Sequence, residues 1–230
     1  MIVYGRNPVR EAIRGPRTVK RIWASKNAAR EPWLAPLRKI TANAESEELE
    51  RRAGSSSHQG VCAEVSPFHY ADDAALLALP SPLIVALDQV QDPQNLGAVV
   101  RSAECAGAAG LVVPERRSAE VTPAVCKASA GAVEHLPVAR TRNLADFLAA
   151  AKRAGVWCYG ADADGAARYD TVDFGGPVVL VLGSEGRGLR PRVASACDVL
   201  VSIPVRGRIE SLSVSAAAAI LIFAAARDRQ

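Results

Sequence analysis

The sequence predicts an α/β chain in two parts, a small basic unit followed by a larger unit built on a parallel sheet. Three observations predict it. From Leu83 onward, continuous apolar stretches of strand length alternate with helix-length segments, which is the pattern of a parallel sheet covered on both faces. Charge is uneven: residues 1–40 carry ten Lys and Arg against two Glu, whereas residues 81–230 carry sixteen basic and fifteen acidic side chains. The ALPSP stretch at 78–82 sets two prolines between the halves, as a linker does. The expected division is a first unit over 1–76, a linker over 77–82 and a second unit over 83–230. At 230 residues and 49% apolar, the chain has room for one good core or two modest ones.

The first unit opens with the strand-like IVY. In GRNPVREAIRG, Asn7 is expected as the N-cap, Pro8 as the first helical residue and Gly15 as the stop. VKRIWAS alternates like a strand, and EPWLAPLRKITANA and ESEELERRAG read as helices, the second ended by Gly54. A polar tip, SSSHQG, leads into the short strand VCAEV. Arg6, Arg10, Arg14 and Arg17 recur at three- and four-residue steps, which places them along one helical face. Such a surface suits a polyanion, and the near-neutral remainder suits a small-molecule or catalytic site.

In the second unit the strands are LIVALDQV, GLVVPE, LPVAR, VWCYGA, VVLVLG and VLVSIPV. The helices between and after them are NLGAVVRSAECAGA, TPAVCKASAGA, LADFLAAAKRAG, RPRVASACD and a final Ala-rich segment. The longest apolar run, SLSVSAAAAILIFAAA at 211–226, is shorter than a membrane span and opens with serines, so it reads as a buried helix. MIVYGRNPVR lacks the apolar region of a signal peptide. The five cysteines, at 62, 105, 126, 158 and 197, form no CxxC pair and no metal-ligand spacing, and they read as reduced packing residues. His58, His69 and His135 are scattered, without triad or metal spacing. A soluble, cytoplasmic protein without a metal is expected.

Ligands of open parallel sheets bind outside the carboxyl ends of the strands, and three loops there stand out. In DPQNLGAVVR, 92–101, Asn95 lies near the helix start, Gly97 and Arg101 share a face, and the side chain at 101 leans toward the N-terminus. Arg101 is thus expected to reach over Gly97 toward the loop of Asn95 and to form, with free helix-end amides, a cradle for a phosphate. A plain cap at Asn95 and a solvated charge at Arg101 are the alternative. In VVLVLGSEGRGL, 178–189, a buried strand runs into three glycines and Glu185; such glycines let backbone approach a ligand closely. Leu189 stands where a phosphate-gripping loop needs lysine, and the glycine order is wrong for GxGxxG. In IPVRGRIESLSVSAAAAI, 203–220, Ser211, Ser213 and Ser215 stand at a helix entry, suited to capping or to polar contact with a ligand. A nucleotide-dependent dehydrogenase or class I methyltransferase would carry its Gly-rich loop after the first strand of the sheet, where this chain has DPQN.

NLGAVVR, LGSEGRGL and IPVRGRIESLSVS resemble, in order and spacing, the three motifs of the SpoU (TrmH/RlmB-like) RNA 2′-O-methyltransferases of the SPOUT superfamily. YGRNPVREAI and HQGVCAEV are similar to the small RNA-binding domain of the RlmB-type branch. The resemblance implies a SPOUT-type parallel sheet with a C-terminal trefoil knot, an exception to the rule of unknotted chains. It implies S-adenosylmethionine as cofactor, structured RNA as substrate, and a homodimer with its sites at the interface. Gly183, Ile203 and Leu212, with Gly186 and Ser213, would hold the cofactor. Asn95, Arg101, Glu185 and Ser211 would form the catalytic and substrate-binding group, and Arg6, Arg10, Arg14 and Arg17 would bind RNA.

Ser213 stands where the family motif usually has asparagine; serine keeps a hydroxyl but lacks the amide's two donors. A guanidinium resists deprotonation, so Arg101 reads as a phosphate clamp and a stabiliser of developing alkoxide charge rather than a base. The RlmB-like first unit points to a guanosine of 23S rRNA. The alternatives are tRNA as substrate, or a non-catalytic knotted RNA-binding or ribosome-assembly factor.

Overall fold

The computed structural model describes residues 1–209 and 211–229. The first unit comprises β1 (Ile2–Tyr4), α1 (Arg6–Arg14), β2 (Val19–Ala24), β3 (Thr41–Asn43), α2 (Ser46–Ala53) and β4 (Val61–Val65). The strands form a sheet in the order β1-β4-β2-β3, with β4 antiparallel to both neighbours and β3 parallel to β2. Alternation along β2 sends Ile22 to the face shared with α1 and Trp23 to the other face, where it packs with Leu49 of α2.

Two local expectations for this unit are corrected. α1 begins earlier than the Asn7-Pro8 pair suggests: Gly5, at φ 95°, holds the N-cap position, and Asn7 is already inside the first turn. The reason lies in β4 and the loop before it. Gly5 N donates to Val61 O at 3.0 Å, and Gln59 Oε1 accepts from Arg6 N at 3.1 Å, so an orphan amide finds a partner outside the helix. EPWLAPLRKITANA is not an α-helix. Pro32–Ile40 is a 3₁₀ segment distorted at Leu37, because Pro36 offers no N–H inside it, and the chain then extends into β3.

α3 (Asp73–Leu77), which the expected division puts at the end of the first unit and the start of the linker, packs through Leu76 on the second sheet. The second unit then runs β5 (Leu83–Asp88), α4 (Pro93–Cys105), β6 (Gly110–Pro114), α5 (Pro123–Ala128), β7 (Val138–Thr141), α6 (Leu144–Arg153), β8 (Trp157–Ala161), β9 (Ala167–Arg168), β10 (Val178–Gly183), α7 (Pro191–Ala194), β11 (Val199–Ser202) and α8 (Val214–Arg227). Its seven strands are parallel, in the order β7-β6-β5-β10-β8-β11-β9. The expected parallel α/β sheet is therefore present. Both faces are covered, as the apolar runs require. Val85 and Leu87 of β5 pack with Val99 of α4 and Ile222 of α8, whereas Ile84 and Ala86 pack with Leu148 of α6 and Val193 of α7. Because β10 is inserted beside β5, the loops after these two strands emerge side by side: Gly183 pairs with Asp88 in register.

The two units share one core. Val9 and Ala12 of α1, with Val3 of β1, belong to the same buried cluster as Val125, Cys126 and Val133 of the second unit. Between them lies an ion pair with almost no exposure: Arg17 Nε donates to Glu134 Oε2 at 2.8 Å, and Nη2 faces Glu134 Oε1. This corrects Arg17 as an RNA contact. It lies beyond the end of α1, where the three- and four-residue spacing no longer describes a helical face, and it is 7% exposed. Nearby, Glu11 meets His135 Nε2 at 3.1 Å. At the second unit's other margin, Ala71 N donates to Val138 O at 2.8 Å, and the Tyr70 hydroxyl accepts from Val121 N at 2.9 Å.

Removing one member of a buried pair strands the other charge. Arg17→Ala and Glu134→Ala should therefore each lower the urea-unfolding free energy by about 3–5 kcal/mol, while the Arg17→Met/Glu134→Leu double variant should recover at least half of that loss. Equal losses in single and double variants would mean that packing, rather than charge, holds this seam.

Candidate functional site at the carboxyl edge of the sheet

The loops that follow β5, β8, β10 and β11 meet at one edge of the sheet. They enclose two adjoining clefts. One is mainly apolar, walled by Ala161 and Ala163 at the end of β8, Leu182 to Gly186 and Gly188 at the end of β10 and beyond it, and Ser211, Leu212 and Ala217 at the entry to α8; Ile203 extends its lining on the β11 side. The other is polar and lies between Gln89, Gln91, Asp92 and Asn95 on one side and Ser184, Glu185 and Arg187 on the other. Ser184, Glu185 and Val214 belong to both.

The wall after β10 has a shape that only glycine permits. A Cβ on Gly183 would overlap the carbonyl carbon and oxygen of Gly188, because the loop folds back onto its own first residue. Gly188 N donates to Ser184 O at 3.0 Å, and Gly186 and Gly188 hold φ values of 75° and 64°. The far end of the loop is fastened to β5. Asp88, with no exposed side-chain surface, accepts from Arg190 N at 2.9 Å and from Arg190 Nε at 2.8 Å, and lies 2.7 Å from Nη2. Neither residue was singled out in the sequence. The available signal was an acidic residue closing the otherwise apolar run LIVALD.

Asp92 caps α4 by accepting from Gln94 N at 3.1 Å and Asn95 N at 3.2 Å. The Asn95 side chain is thereby released from capping, and its Nδ2 donates to Glu185 Oε1 at 3.2 Å across 90 residues of sequence. Two of the four expected catalytic residues thus touch, and Ser211 lines the apolar cleft beside them.

Arg101 does not join them within one chain. Gly97 is not an open passage: a Cβ there would overlap Ala128 Cβ and lie 2.9 Å from Ser129 N, so its missing side chain serves the packing of α4 on α5. The route from Arg101 over Gly97 toward Asn95 is closed. Arg101 stands exposed, six residues and about 9 Å along the helix from Asn95, without a carboxylate partner among the described residues.

Of the residues expected at the cofactor, Gly183, Gly186 and Leu212 line the apolar cleft and Ile203 its extension. Ser213 is corrected. Its hydroxyl accepts from Ala216 N at 3.2 Å and lies 3.1 Å from Ser215 Oγ, so it caps α8 and is absent from the lining of both clefts. Ala161 and Ala163 complete the cleft and went unnoticed in the sequence, where small residues after a strand carry little signal.

Burial pushes the thiols of Cys62 and Cys126 up to about 11, and those of Cys158 and Cys197 up to about 12. These four are protonated packing groups rather than nucleophiles. Among the described residues, no three His, Cys, Asp or Glu side chains converge as metal ligands, and no helix is long and apolar enough to cross a membrane.

The basic face expected of the first unit is largely compensated. Arg6 pairs with Glu31 at 3.0 Å, and Arg10 and Arg14 both reach Glu11, at 2.9 and 3.2 Å. A more strongly basic groove lies between β2 and β3, lined by Lys20, Arg21 and Lys39.

Comparison with known proteins gives this arrangement relatives. Residues 82–223 match the model of the SpoU rRNA methylase family, and residues 2–71 match that of the RNA 2′-O ribose methyltransferase substrate-binding domain. The chain is 40% identical to a Mycolicibacterium vanbaalenii protein described as a tRNA/rRNA methyltransferase, with 100% of this chain and 77% of that one covered. It is 37% identical to a Bacillus subtilis protein described as of the TrmH family of tRNA/rRNA methyltransferases, covering 99% and 95% of the two chains. The AdoMet-bound rRNA methyltransferase of Sinorhizobium meliloti superposes with a TM-score of 0.83 at 27% identity, covering 98% of this chain and 86% of that one.

Gly183→Ala should spring the loop open, since backbone rather than a flexible side chain fills the space. Hydrogen exchange is expected to show amides 184–190 losing protection by at least tenfold while β5 and β6 keep theirs; retained protection of the loop would contradict the fold-back geometry.

Proposed function

The chain belongs to the SpoU rRNA methylase family, and on that premise we propose that it methylates a ribose 2′-hydroxyl of RNA, with a guanosine of 23S rRNA as the preferred target and tRNA as the second reading. At the coarser level it is an S-adenosylmethionine-dependent tRNA/rRNA methyltransferase of the SpoU/TrmH family. The observation that carries the finer reading is the junction of the two clefts. An apolar groove suited to a nucleoside-like donor opens into a polar one, and Glu185, held by Asn95, stands at the boundary.

The residues present fit the cofactor. Gly183 presents bare backbone at the cleft wall, while Ile203 and Leu212 present apolar surface, and Leu212 is 42% exposed although it lines the groove. These side chains, with Gly186, would hold S-adenosylmethionine through backbone and apolar contact. When bound, it supplies an electrophilic methyl group, so the protein's task is chiefly to orient the hydroxyl that receives it. Glu185 can accept that hydroxyl's hydrogen bond, and the Asn95 amide holds the carboxylate in place. Asp92, the neighbouring carboxylate, is engaged by the α4 cap and is not free for the same role. Ser211 lines the donor side, next to Leu212.

Arg101 would hold a phosphate of the target strand and stabilise charge developing on the ribose oxygen. Its exposed place on α4, away from Glu185, agrees with a homodimer whose sites lie at the subunit interface. Val205 and Ile209, 43% and 75% exposed on the segment after β11, are further surface for such an interface.

Arg101→Ala should leave S-adenosylmethionine affinity by calorimetry within about twofold while methyl transfer to unmodified rRNA falls by about 10²–10³. Glu185→Gln should likewise lower turnover more than donor binding. Mapping 2′-O-methyl sites in total RNA with and without the gene identifies the target. Absence of donor uptake by the wild-type protein would overturn the reading.

A further inference from the structure

The arginines of this chain divide by whether a carboxylate answers them. Arg6, Arg10, Arg14, Arg52, Arg140, Arg168, Arg190 and Arg192 each have a carboxylate within 4 Å, and Arg17 is buried with Glu134. Several exposed arginines have none among the described residues, Arg21, Arg101, Arg153 and Arg187 among them, and within that set Arg116, Arg117 and Arg142 are distinguished by their place. All three stand immediately after a strand of the parallel sheet, on the edge that carries the two clefts. Arg116 and Arg117 follow β6, and Arg142 follows β7.

The geometry points to a phosphate track. We propose that Arg116, Arg117 and Arg142 hold backbone phosphates of the RNA strand a few nucleotides from the target ribose, on the β7 side of Asn95. The proposal rests on the 2′-O-methyltransferase reading for its ligand. Three features support it. First, the three side chains are brought together by strand pairing: Pro114 lies opposite Thr141, and Glu115 N donates to Thr141 O at 2.9 Å, so the residues that follow emerge side by side. Second, the loop bearing Arg116 and Arg117 is fastened at both ends. Arg140 donates to Glu115 O at 2.9 Å and to Glu120 Oε1 at 3.2 Å, and Ala119 N donates to Val90 O at 2.9 Å, which ties the loop to the segment leading into Asp92 and Asn95. Arg140 thereby occupies the carboxylate of Glu120 and leaves Arg116 and Arg117 uncompensated. Third, Arg117 sits at φ 59°, a left-handed conformation that arginine rarely adopts. The anchored loop holds it there, projecting from the edge.

Strands in a sheet lie about 4.8 Å apart, so the loops after β5, β6 and β7 span roughly 10 Å from the polar cleft outward. A row of guanidinium groups over that distance matches consecutive phosphates, which they can grip in bidentate fashion. RNA would therefore be read along the edge of the catalytic sheet as well as by the first unit.

The test uses the full chain and unmodified 23S rRNA made by transcription, with a tRNA transcript in parallel. For the Arg116→Ala/Arg117→Ala/Arg142→Ala variant, the slope of log affinity against log salt should shrink by about two to three, and affinity at 0.1 M salt should fall about a hundredfold. Calorimetric binding of S-adenosylmethionine should be unchanged, and the RNA KM should rise. The corresponding triple lysine variant, which keeps the charges, should retain the slope, separating loss of charge from loss of fold. Arg153→Ala, at the opposite edge, should change neither quantity. An alanine variant that binds RNA with wild-type affinity and slope overturns the track, whatever the enzyme's target. A wild-type protein that takes up no donor, while the alanine variant still loses slope, overturns the methyltransferase reading and leaves the track standing.

Discussion

Asp88 is a carboxylate without exposed surface at the end of an apolar strand, and the architecture of the site depends on what it binds. An unpaired carboxylate in that position would cost several kcal/mol. Arg190 removes the penalty with its backbone amide and its guanidinium, each a charge-assisted hydrogen bond contributing roughly 1.5–3 kcal/mol. Because Asp88 also pairs with Gly183 in strand register, one residue stands at both ends of the glycine loop, through its backbone at the start and its carboxylate at the finish. A loop fixed at both ends, with glycines at φ 75° and 64° between, has little freedom left. Glu185 is carried on that loop, and this is why its contact with Asn95 is a property of the fold rather than of two flexible side chains.

The second constraint is the seam between the units. Val9 and Ala12 face a core continuous with Val125 and Val133, and Arg17 with Glu134 lies within it. A helix that looks like a basic surface in sequence is, in three dimensions, the layer between the first sheet and α5 of the second unit. Its arginines are drawn to Glu11 and Glu31, so the basic N-terminal forty residues present less free charge than their composition suggests. The uncompensated charge lies elsewhere, at Arg21 and Lys39 of the groove beside Lys20, which itself meets Glu64 at 3.5 Å, and along the carboxyl edge.

The legibility of the sequence follows from what each signal measures. Strands such as Leu83–Asp88 and Val178–Gly183, buried on both faces, announce themselves as apolar runs. The five residues of Asp73–Leu77 and the two of Ala167–Arg168 are too short for any period to emerge. Asn95, Glu185, Gly183, Gly186, Ile203, Ser211 and Leu212 all border the clefts, and motif spacing had brought them forward. Asp88–Arg190 and Arg17–Glu134 join residues 102 and 117 positions apart, and composition carries no trace of such pairing. Arg101 was misplaced because helical periodicity gives a direction but not what already fills it, and of the two roles open to Ser213, cap and ligand contact, the cap is the one taken. At Gly97 the space holds Ala128, and at Ser213 the hydroxyl is engaged by Ala216 N.

What remains unsatisfied on this surface has a common direction. Leu212, Val205 and Ile209 expose apolar surface around the groove, and Arg101, Arg116, Arg117, Arg142 and Arg187 expose charge without carboxylate partners among the described residues. Burying a large aliphatic side chain contributes roughly 1.5–3 kcal/mol, and releasing counterions from phosphate contributes with each contact. These gains are realised only when a ligand covers the edge. Buried pairs and close glycine packing hold the interior, while these side chains at the edge have their apolar and ionic contacts unmade. A fold so divided leaves its remaining favourable contacts at the edge where donor and RNA are bound.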